Sequence, residues 1–316
     1  MSLPPRWRWK LERWRDSFSG MFRTKESERR PQLCPACGTL VGSTATRCHQ
    51  CGASLTFSLA AASRKLSRIM PSTAPVTYGI LICCCVIYGI SLLLTLRIGG
   101  QVTPQGGGIL GMLFGIGSVD SRILQLLGAS LPLPINIVQP WRLISACFLH
   151  ANLMHIVFNM WVLVDLAPVL EEVYGSPRFF FLYIVCGIGG YALSSLIGDF
   201  SIGASGAIVG LIGLLLAITY RRGGSHMQQL RSQVYRWIIY LVIWGMLPGL
   251  NVDNWAHLGG GITGFILGKL VMDREPATVS ERKSAYLLGW STAVIVLASF
   301  VLTILAAVHP GFYIHY

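Results

Sequence analysis

Residues 203–220 read GASGAIVGLIGLLLAITY, a stretch that contains no charged side chain and has small residues at helical spacing. Gly206, Gly210 and Gly213 share one helix face, a pattern by which two membrane helices pack backbone against backbone. A second apolar stretch, residues 255–272, carries a similar stripe of small residues at Gly260, Gly264 and Gly268. The two stretches therefore predict a pair of membrane helices in close contact.

The composition of the 316-residue chain agrees with a membrane protein rather than a soluble domain. Hydrophobic residues make up 53% of the chain and charged residues 12%, about half the charged fraction of a typical soluble domain. The mean hydropathy is +0.58. The net charge of +12 comes from Lys and Arg in the N-terminal 75 residues and in gaps between apolar runs. This placement favours membrane topology over nucleic-acid binding, and we expect no nucleic-acid partner.

Seven apolar segments approach the roughly 20 residues that a membrane-spanning helix requires. They lie at about 76–97, 146–168, 179–198, 204–220, 236–250, 255–272 and 285–308. Residues 98–145 are too apolar for an ordinary loop and too interrupted by Gly and Pro to span. We expect this stretch to be a structured element embedded in one leaflet, within an all-α polytopic membrane bundle.

The distribution of Lys and Arg predicts the orientation of the bundle. The gaps 221–236 and 269–283 are rich in Lys and Arg, whereas the alternate gaps 199–203 and 251–254 contain neither. The basic gaps share a side with the basic N-terminus if there are seven segments. The positive-inside rule then predicts a cytoplasmic N-terminus and an outside C-terminus. We expect the plasma (inner) membrane as the location.

The chain divides into five predicted regions. They are a basic, Trp-rich tail at 1–32, a cysteine segment at 33–54, a linker at 55–75, a six-helix core at 76–272, and a linker with a seventh helix at 273–316. In the tail, Trp7, Leu11, Trp14 and Phe18 recur at helical spacing. The tail is either a basic interfacial helix on anionic lipid or a solvated, mobile segment.

The cysteine segment has the spacing of a four-thiolate metal site. Two Cys-x2-Cys pairs are separated by ten residues, and a glycine follows each pair; the cysteines are Cys34, Cys37, Cys48 and Cys51. Zinc is the usual ion at a closed four-sulfur site, with iron or redox use as the alternatives. We expect a structural, zinc-ribbon-like segment that recruits a cytoplasmic partner or has a regulatory role.

A few polar residues lie inside the predicted spans, where an ionisable group suggests function. They are His150, His155, Asn159 and Asp165 in the second segment, Ser205 in the fourth and His257 in the sixth. His155 and Asn159 share one helix face. Ser205 has a glycine on either side, at 203 and 206, and lies at a helix start, where free N–H groups can stabilise an oxyanion. A serine beside a histidine base is a minimal activated nucleophile.

Four motifs in this order resemble the rhomboid family of intramembrane serine proteases. They are Trp141-Arg142, His155-Ile-Val-Phe-Asn159, Gly203-Ala-Ser205-Gly206, and Ala256-His257 followed by Gly260-x3-Gly264. The resemblance covers residues 76–272 and implies that Ser205 is the nucleophile and His257 the general base. It also implies that His155 and Asn159 line the oxyanion hole with the Ser205 N–H, and that no cofactor serves catalysis. Single-span membrane proteins in the lipid bilayer would be the substrates.

Two features differ from the family pattern. Some rhomboids carry an aromatic residue one turn after the serine that packs on the histidine, and Val209 stands there in this chain. The seventh helix corresponds to a subgroup with one added C-terminal helix. A catalytically silent rhomboid-like protein that binds membrane clients is the main alternative. A transporter and a metalloprotease are weaker alternatives, because the sequence has neither an inverted repeat nor an HExxH motif.

Overall fold

A computed structural model describes residues 31–34, 38–43, 45–52, 54–55, 74–100, 115–198, 200–246 and 252–308. The chain separates into two compact units, Met1–Ser58 and Leu59–Tyr316. The predicted N-terminal tail, residues 1–32, lies almost entirely outside the described residues, as does most of the predicted linker at 55–75.

The described part of the first unit is a small turn-rich element around two short strands. Strand β1 (Gln32–Leu33) pairs antiparallel with β2 (Leu40–Val41), with Leu33 opposite Leu40. Its small core consists of Cys34, Val41 and Cys48. So few apolar side chains leave little hydrophobic stabilisation for a segment of this length.

The described part of the second unit is helical. The helices are α1 (Pro75–Arg97), α2 (Ser121–Leu126), α3 (Leu133–Val138), α4 (Arg142–Ser145), α5 (Leu153–Tyr174), α6 (Ser176–Ile197), α7 (Ser205–Arg221), α8 (Ser225–Met246), α9 (Asn254–Leu270) and α10 (Val279–Val308), with a 3-10 turn at Ala146–Phe148. Most side chains of α7 are buried, because this helix is apolar on every side. It is the central helix of the bundle, with α6 and α9 packed against it.

Four of the described helices are long and apolar enough to cross a membrane: α1, α5, α6 and α10. The central helix α7 is apolar but has only 17 residues, about 25 Å at 1.5 Å per residue, against a hydrocarbon core of about 30 Å. The chain is thus a helical membrane bundle, and the count of seven spans stays a prediction.

The largest differences from the predicted segment boundaries are at two helix starts. The second helix begins at Leu153 rather than at 146, because Asn152 caps it and accepts a hydrogen bond from the His155 N–H (2.8 Å). The fifth helix begins at Ser225 rather than at 236, so its first three turns include part of the predicted basic gap. Polar residues at one end of a membrane helix can extend into the headgroup layer, and hydropathy alone does not reveal such an extension.

The predicted leaflet element is structured wherever it is described, from residue 115 onward. It consists of the short helices α2, α3 and α4 and their connections. The Arg142 guanidinium holds these pieces together, because it donates to the carbonyl oxygens of Gln125 (2.8 Å) and Ala129 (3.1 Å). Residues 101–114, the Gly-rich start of the element, lie outside the described residues.

Candidate active site

Ser205 is the first residue of α7, and the loop that precedes it is fixed by hydrogen bonds. Gly203 adopts φ +123°, a conformation that residues with a side chain rarely take, and its N–H donates to the Ala146 carbonyl (2.9 Å). The Tyr191 hydroxyl donates to the Gly203 carbonyl and lies 3.3 Å from the Ala146 carbonyl oxygen. Ser205 itself is half-buried.

The same loop is joined to the leaflet element by a short backbone bridge. Ser130 and Ser201 exchange two N–H to carbonyl hydrogen bonds, both of 3.0 Å. The Asn136 side chain donates to the Ser130 hydroxyl (2.9 Å) and accepts from the Leu131 N–H (3.2 Å). The position of Ser205 therefore depends on the leaflet element as well as on α7.

Helices α7 and α9 approach so closely that glycine is required at their interface. A Cβ added to Gly260 would collide with the carbonyl oxygen of Gly206, and one added to Gly264 would collide with that of Gly210. Ala256 also lies against Gly206, with its carbonyl oxygen 3.5 Å from the position of a Gly206 Cβ. Since Gly206 follows Ser205 and Ala256 precedes His257, this register places Ser205 and His257 at the same level of the bundle.

The first turn of α9, which carries His257, is capped by Asp253. One carboxylate oxygen of Asp253 accepts from the Ala256 N–H (2.8 Å), and the other accepts from the Ser194 hydroxyl on α6 (2.5 Å). The cap fixes the start of α9 relative to α6, next to the histidine. His257 is half-buried, as Ser205 is.

His155 approaches the serine loop from α5. Its Nε2 lies 2.6 Å from the position that a Cβ on Gly203 would take, and Ser205 Oγ lies 3.6 Å from the same point. The Ala151 N–H points at His155 Nδ1 (3.5 Å), an arrangement that leaves Nε2 as the protonated nitrogen. His155 and His257 are also close enough to interact electrostatically. The structure thus brings His155, Ser205 and His257 together.

The remaining polar residues of the predicted spans have different surroundings. Asn159 lies one turn after His155 on α5 and is 7% exposed. His150 is fully buried, its ring packs edge-on against His155 with centroids 5.1 Å apart, and neither ring nitrogen has a described hydrogen-bond partner. Asp165 lies on the exposed surface of α5 and accepts hydrogen bonds from α8, away from the serine.

Val209, which stands where some rhomboids have an aromatic residue, faces α9. Its Cγ1 lies 3.5 Å from the position of a Cβ on Gly261, one turn after His257. The valine therefore fills space on the α9 surface below the histidine.

Sequence reasoning did not assign three residues that support this arrangement: Asn152, Tyr191 and Asp253. Asn152 and Asp253 each precede an apolar helical run, which is a recognisable N-cap signal. Tyr191 carries no such signal, because its role depends on two carbonyl groups that are distant in sequence.

In the first unit, three of the four predicted metal ligands lie together. The sulfur atoms of Cys34, Cys48 and Cys51 are all within 4.8 Å of one another, and Cys37 lies outside the described residues. Gly38 and Gly52 adopt φ +79° and +69°. Each donates its N–H to the carbonyl of the first cysteine of its pair, Cys34 or Cys48, at 2.9 Å. The two glycines thus make the same backbone contact, and thiolates in such a cluster suit zinc.

Comparisons with known proteins agree with the helical membrane bundle. The fold defines an integral membrane protein, and a serine and two histidines lie near one end of its helical bundle. Residues 138–274 match the Rhomboid domain, so this part of the chain is similar to the rhomboid family.

Similar proteins come from plants, protozoa and bacteria. RHOMBOID-like protein 6, mitochondrial, of Arabidopsis thaliana is 39% identical over 139 residues, 42% of this chain and 44% of that protein. Rhomboid-like protease 1 of Toxoplasma gondii is 33% identical over 156 residues, 48% and 53% of the two chains. Rhomboid protease GluP of Bacillus subtilis is 33% identical over 150 residues, 47% and 29%. The chain spans about half or less of the length of these relatives.

Proposed function

We propose that this protein is an intramembrane serine endopeptidase that cuts membrane-protein substrates through a dyad of Ser205 and His257. The main support is the glycine-mediated contact of α7 with α9. Gly206, next to Ser205, packs against Ala256, next to His257, and His155 contacts the loop that precedes Ser205. The match to the Rhomboid domain, and the similarity to relatives named as rhomboid proteases, support the reaction class.

The proposed reaction is acyl transfer to serine followed by hydrolysis. His257 takes the proton of the Ser205 hydroxyl as Oγ attacks the peptide carbonyl carbon. The carbonyl oxygen becomes an oxyanion, which accepts hydrogen bonds from His155 Nε2, from the Asn159 amide and from the Ser205 N–H at the helix start. The protonated His257 gives its proton to the leaving amine as the C–N bond breaks. Water then hydrolyses the acyl-enzyme, again with His257 as the base.

The proposed substrates are single-span membrane proteins cut near the outer boundary of the bilayer, with a small residue before the cut. Because α7 is shorter than the hydrocarbon core is thick, its N-terminus can lie below the membrane surface. A helical substrate hides its carbonyl groups, so it must unwind locally before Ser205 can attack. Ser205 and His257 are half-buried rather than fully buried, and the hydrolytic step requires that water reach them.

We further propose a cytoplasmic N-terminus and an outside C-terminus in the plasma (inner) membrane, from the distribution of Lys and Arg. The proposed domains are the five regions of the sequence, with the six-helix rhomboid core at 76–272. Reporter fusions at each terminus, or labelling of added single cysteines by an impermeant thiol reagent, test this orientation. Labelling of an N-terminal cysteine from outside intact cells would contradict it.

A fluorophosphonate probe tests the serine assignment directly. We expect the full-length protein to be labelled covalently, and the labelling to be lost in Ser205→Ala and His257→Ala. Ser291→Ala is the matched control, because the Ser291 hydroxyl is exposed and only donates to the Leu288 carbonyl of its own helix (2.9 Å). Labelling that persists in Ser205→Ala would contradict the proposal. No labelling of a folded protein would favour a catalytically silent client-binding protein.

For the first unit we propose a structural zinc ion bound by Cys34, Cys48 and Cys51, with Cys37 as the fourth ligand expected from the spacing. The zinc-ribbon-like segment would serve a cytoplasmic partner and take no part in catalysis. Metal analysis of the purified protein should give one zinc per chain, and Cys48→Ser should lower that content sharply. Cys85→Ser, which removes an exposed thiol on α1, is the control. Unchanged zinc in Cys48→Ser would contradict this site.

A further inference from the structure

A cavity of about 230 Å³ lies at the end of the bundle opposite Ser205. It is enclosed by the start of α6, the connection after α9 and the start of α10. Its wall is mostly apolar and includes Phe181, Leu182, Val271 and Leu288. Sites for drug-sized ligands usually measure about 300–1,000 Å³, so this cavity suits a smaller group.

The charges that line the cavity do not balance. Arg274 forms two hydrogen bonds with the Glu281 carboxylate, of 2.7 and 3.0 Å, so these two charges neutralise each other. Arg178 donates only to the Arg274 carbonyl oxygen, at 3.4 Å, and no carboxylate in the described part of the chain forms an ion pair with it. One positive charge therefore remains at the rim of an apolar cavity.

The nearest acid on the adjoining connection is already engaged. Asp273 forms ion pairs with Arg221 and Arg222, both at 2.5 Å. Burial alone would raise the pKa of Asp273, but the hydrogen bonds from these two arginines hold it below its usual value. Asp273 is thus ionised and committed to Arg221 and Arg222, and it does not supply the missing countercharge for Arg178.

The position of the cavity corresponds to the lipid headgroup layer. Arg178 lies in the first turn of α6, and α6 follows α5 after a single residue, so this turn is at a membrane boundary. Basic pockets between transmembrane helices at this depth bind anionic headgroups. An inorganic anion would make no favourable contact with the apolar wall. A phospholipid presents a phosphate for the arginine and an acyl chain for the apolar wall.

We propose that this cavity binds an anionic phospholipid, with its phosphate on Arg178 and the first part of an acyl chain against Phe181 and Leu288. The site joins α10, which lies outside the matched domain, to α6 inside it. The proposal rests on the membrane location of the protein and not on its proteolytic activity.

Native mass spectrometry of the full-length protein in detergent can test this proposal. Dioleoylphosphatidylglycerol is compared with dioleoylphosphatidylcholine at equal concentration. We expect the phosphatidylglycerol adduct to be retained more strongly, and Arg178→Gln to lower its apparent affinity about fivefold. Leu288→Trp, which fills the apolar part of the cavity, should lower it as well.

Lys283→Gln is the matched control, because Lys283 is an exposed cation at the same end of α10 that does not line the cavity. Equal retention by the wild-type protein and Arg178→Gln would overturn the site. Equal loss in Lys283→Gln would show general surface attraction instead. Full displacement of the lipid by millimolar inorganic phosphate would overturn the assignment to a lipid. A serine variant without protease activity should bind the lipid as the wild type does, which separates this proposal from the proposed function.

Discussion

The contact between α7 and α9 and the contact between α5 and α8 are built in opposite ways. Between α7 and α9 the backbones touch through glycine, and an added methyl group on Gly260 or Gly264 would have no room. Between α5 and α8 the contact is made by long side chains. Asp165 accepts from Gln233 (2.8 Å) and Trp237 (3.0 Å), and aromatic rings pair with centroids 4.6 and 5.4 Å apart.

The difference separates a rigid half of the bundle from an adaptable one. Two backbones in direct contact have a single register, because a shift of either helix would produce collisions. Side chains on exposed surfaces can change rotamer and keep contact, and about half of the described residues of α8 are exposed. The proposed dyad lies on the rigid half, as preorganised catalysis requires.

The largest expected effect is the loss of proteolysis when either member of the dyad is removed. Ser205→Ala or His257→Ala should reduce cleavage of a single-span test substrate to the uncatalysed background, while helix content and thermal midpoint stay near wild type. Gel-based cleavage in detergent and in liposomes measures this effect. Wild-type activity in either variant would show that the glycine-packed half does not hold the dyad.

The next effect concerns the oxyanion donor. His155→Ala should lower kcat by about 10²–10³-fold, because one donor to the developing charge is lost while Ser205 remains in place. Fluorophosphonate labelling of this variant should be slowed rather than abolished. A cleavage rate within twofold of wild type would remove His155 from the site.

Replacing a glycine by a larger residue should lower thermal stability only where the glycine is in a tight backbone contact. Gly264→Leu should destabilise the bundle by about 1–3 kcal/mol or more, because its side chain would meet the Gly210 carbonyl. Gly89→Leu is the control, since nothing lies within 4 Å of a Cβ at Gly89 in the membrane helix α1. Thermal midpoints in one detergent measure both variants. Equal midpoints would show that α7 and α9 are less tightly packed than described.

The smallest effect is expected in the adaptable half. Asp165→Leu removes two interhelical hydrogen bonds, and such bonds contribute about 0.6 kcal/mol each in membrane proteins. Its thermal midpoint should fall only slightly, and cleavage should continue. A fall in the thermal midpoint as large as that of Gly264→Leu would show that the contact of α5 with α8 is as important for stability as the contact of α7 with α9.

The sequence was sufficient to predict the helical membrane bundle and the contact of α7 with α9, because apolar length and glycine spacing are local patterns. The helix starts at Leu153 and Ser225 were harder to predict. The first depends on the Asn152 cap, and the second on a polar extension that hydropathy does not separate from a loop. The short helices of the leaflet element have no periodicity long enough to recognise.

The proposed site residues were found because Ser, His and Asn are rare inside apolar segments. The surroundings of these residues were not predictable. The bond of Tyr191 with Gly203 and the bridge between Ser130 and Ser201 join positions that only the tertiary fold makes neighbours. The side on which Val209 packs likewise depends on the register of two helices.

The buried carboxylate of Glu171, at the end of α5, shows where the folding unit begins. It accepts hydrogen bonds from the N–H groups of Val76 (2.9 Å) and Thr77 (2.8 Å) at the start of α1, and from the Ser176 hydroxyl (2.6 Å). Helix α1 precedes the recognised domain at 138–274 by more than one helix length. The Thr77 hydroxyl also donates to the Glu171 carboxylate (2.8 Å), so a fragment cut to the recognised domain would leave this buried carboxylate without three of its donors. The segment needed for folding therefore includes α1 and is longer than the segment similar to the Rhomboid domain.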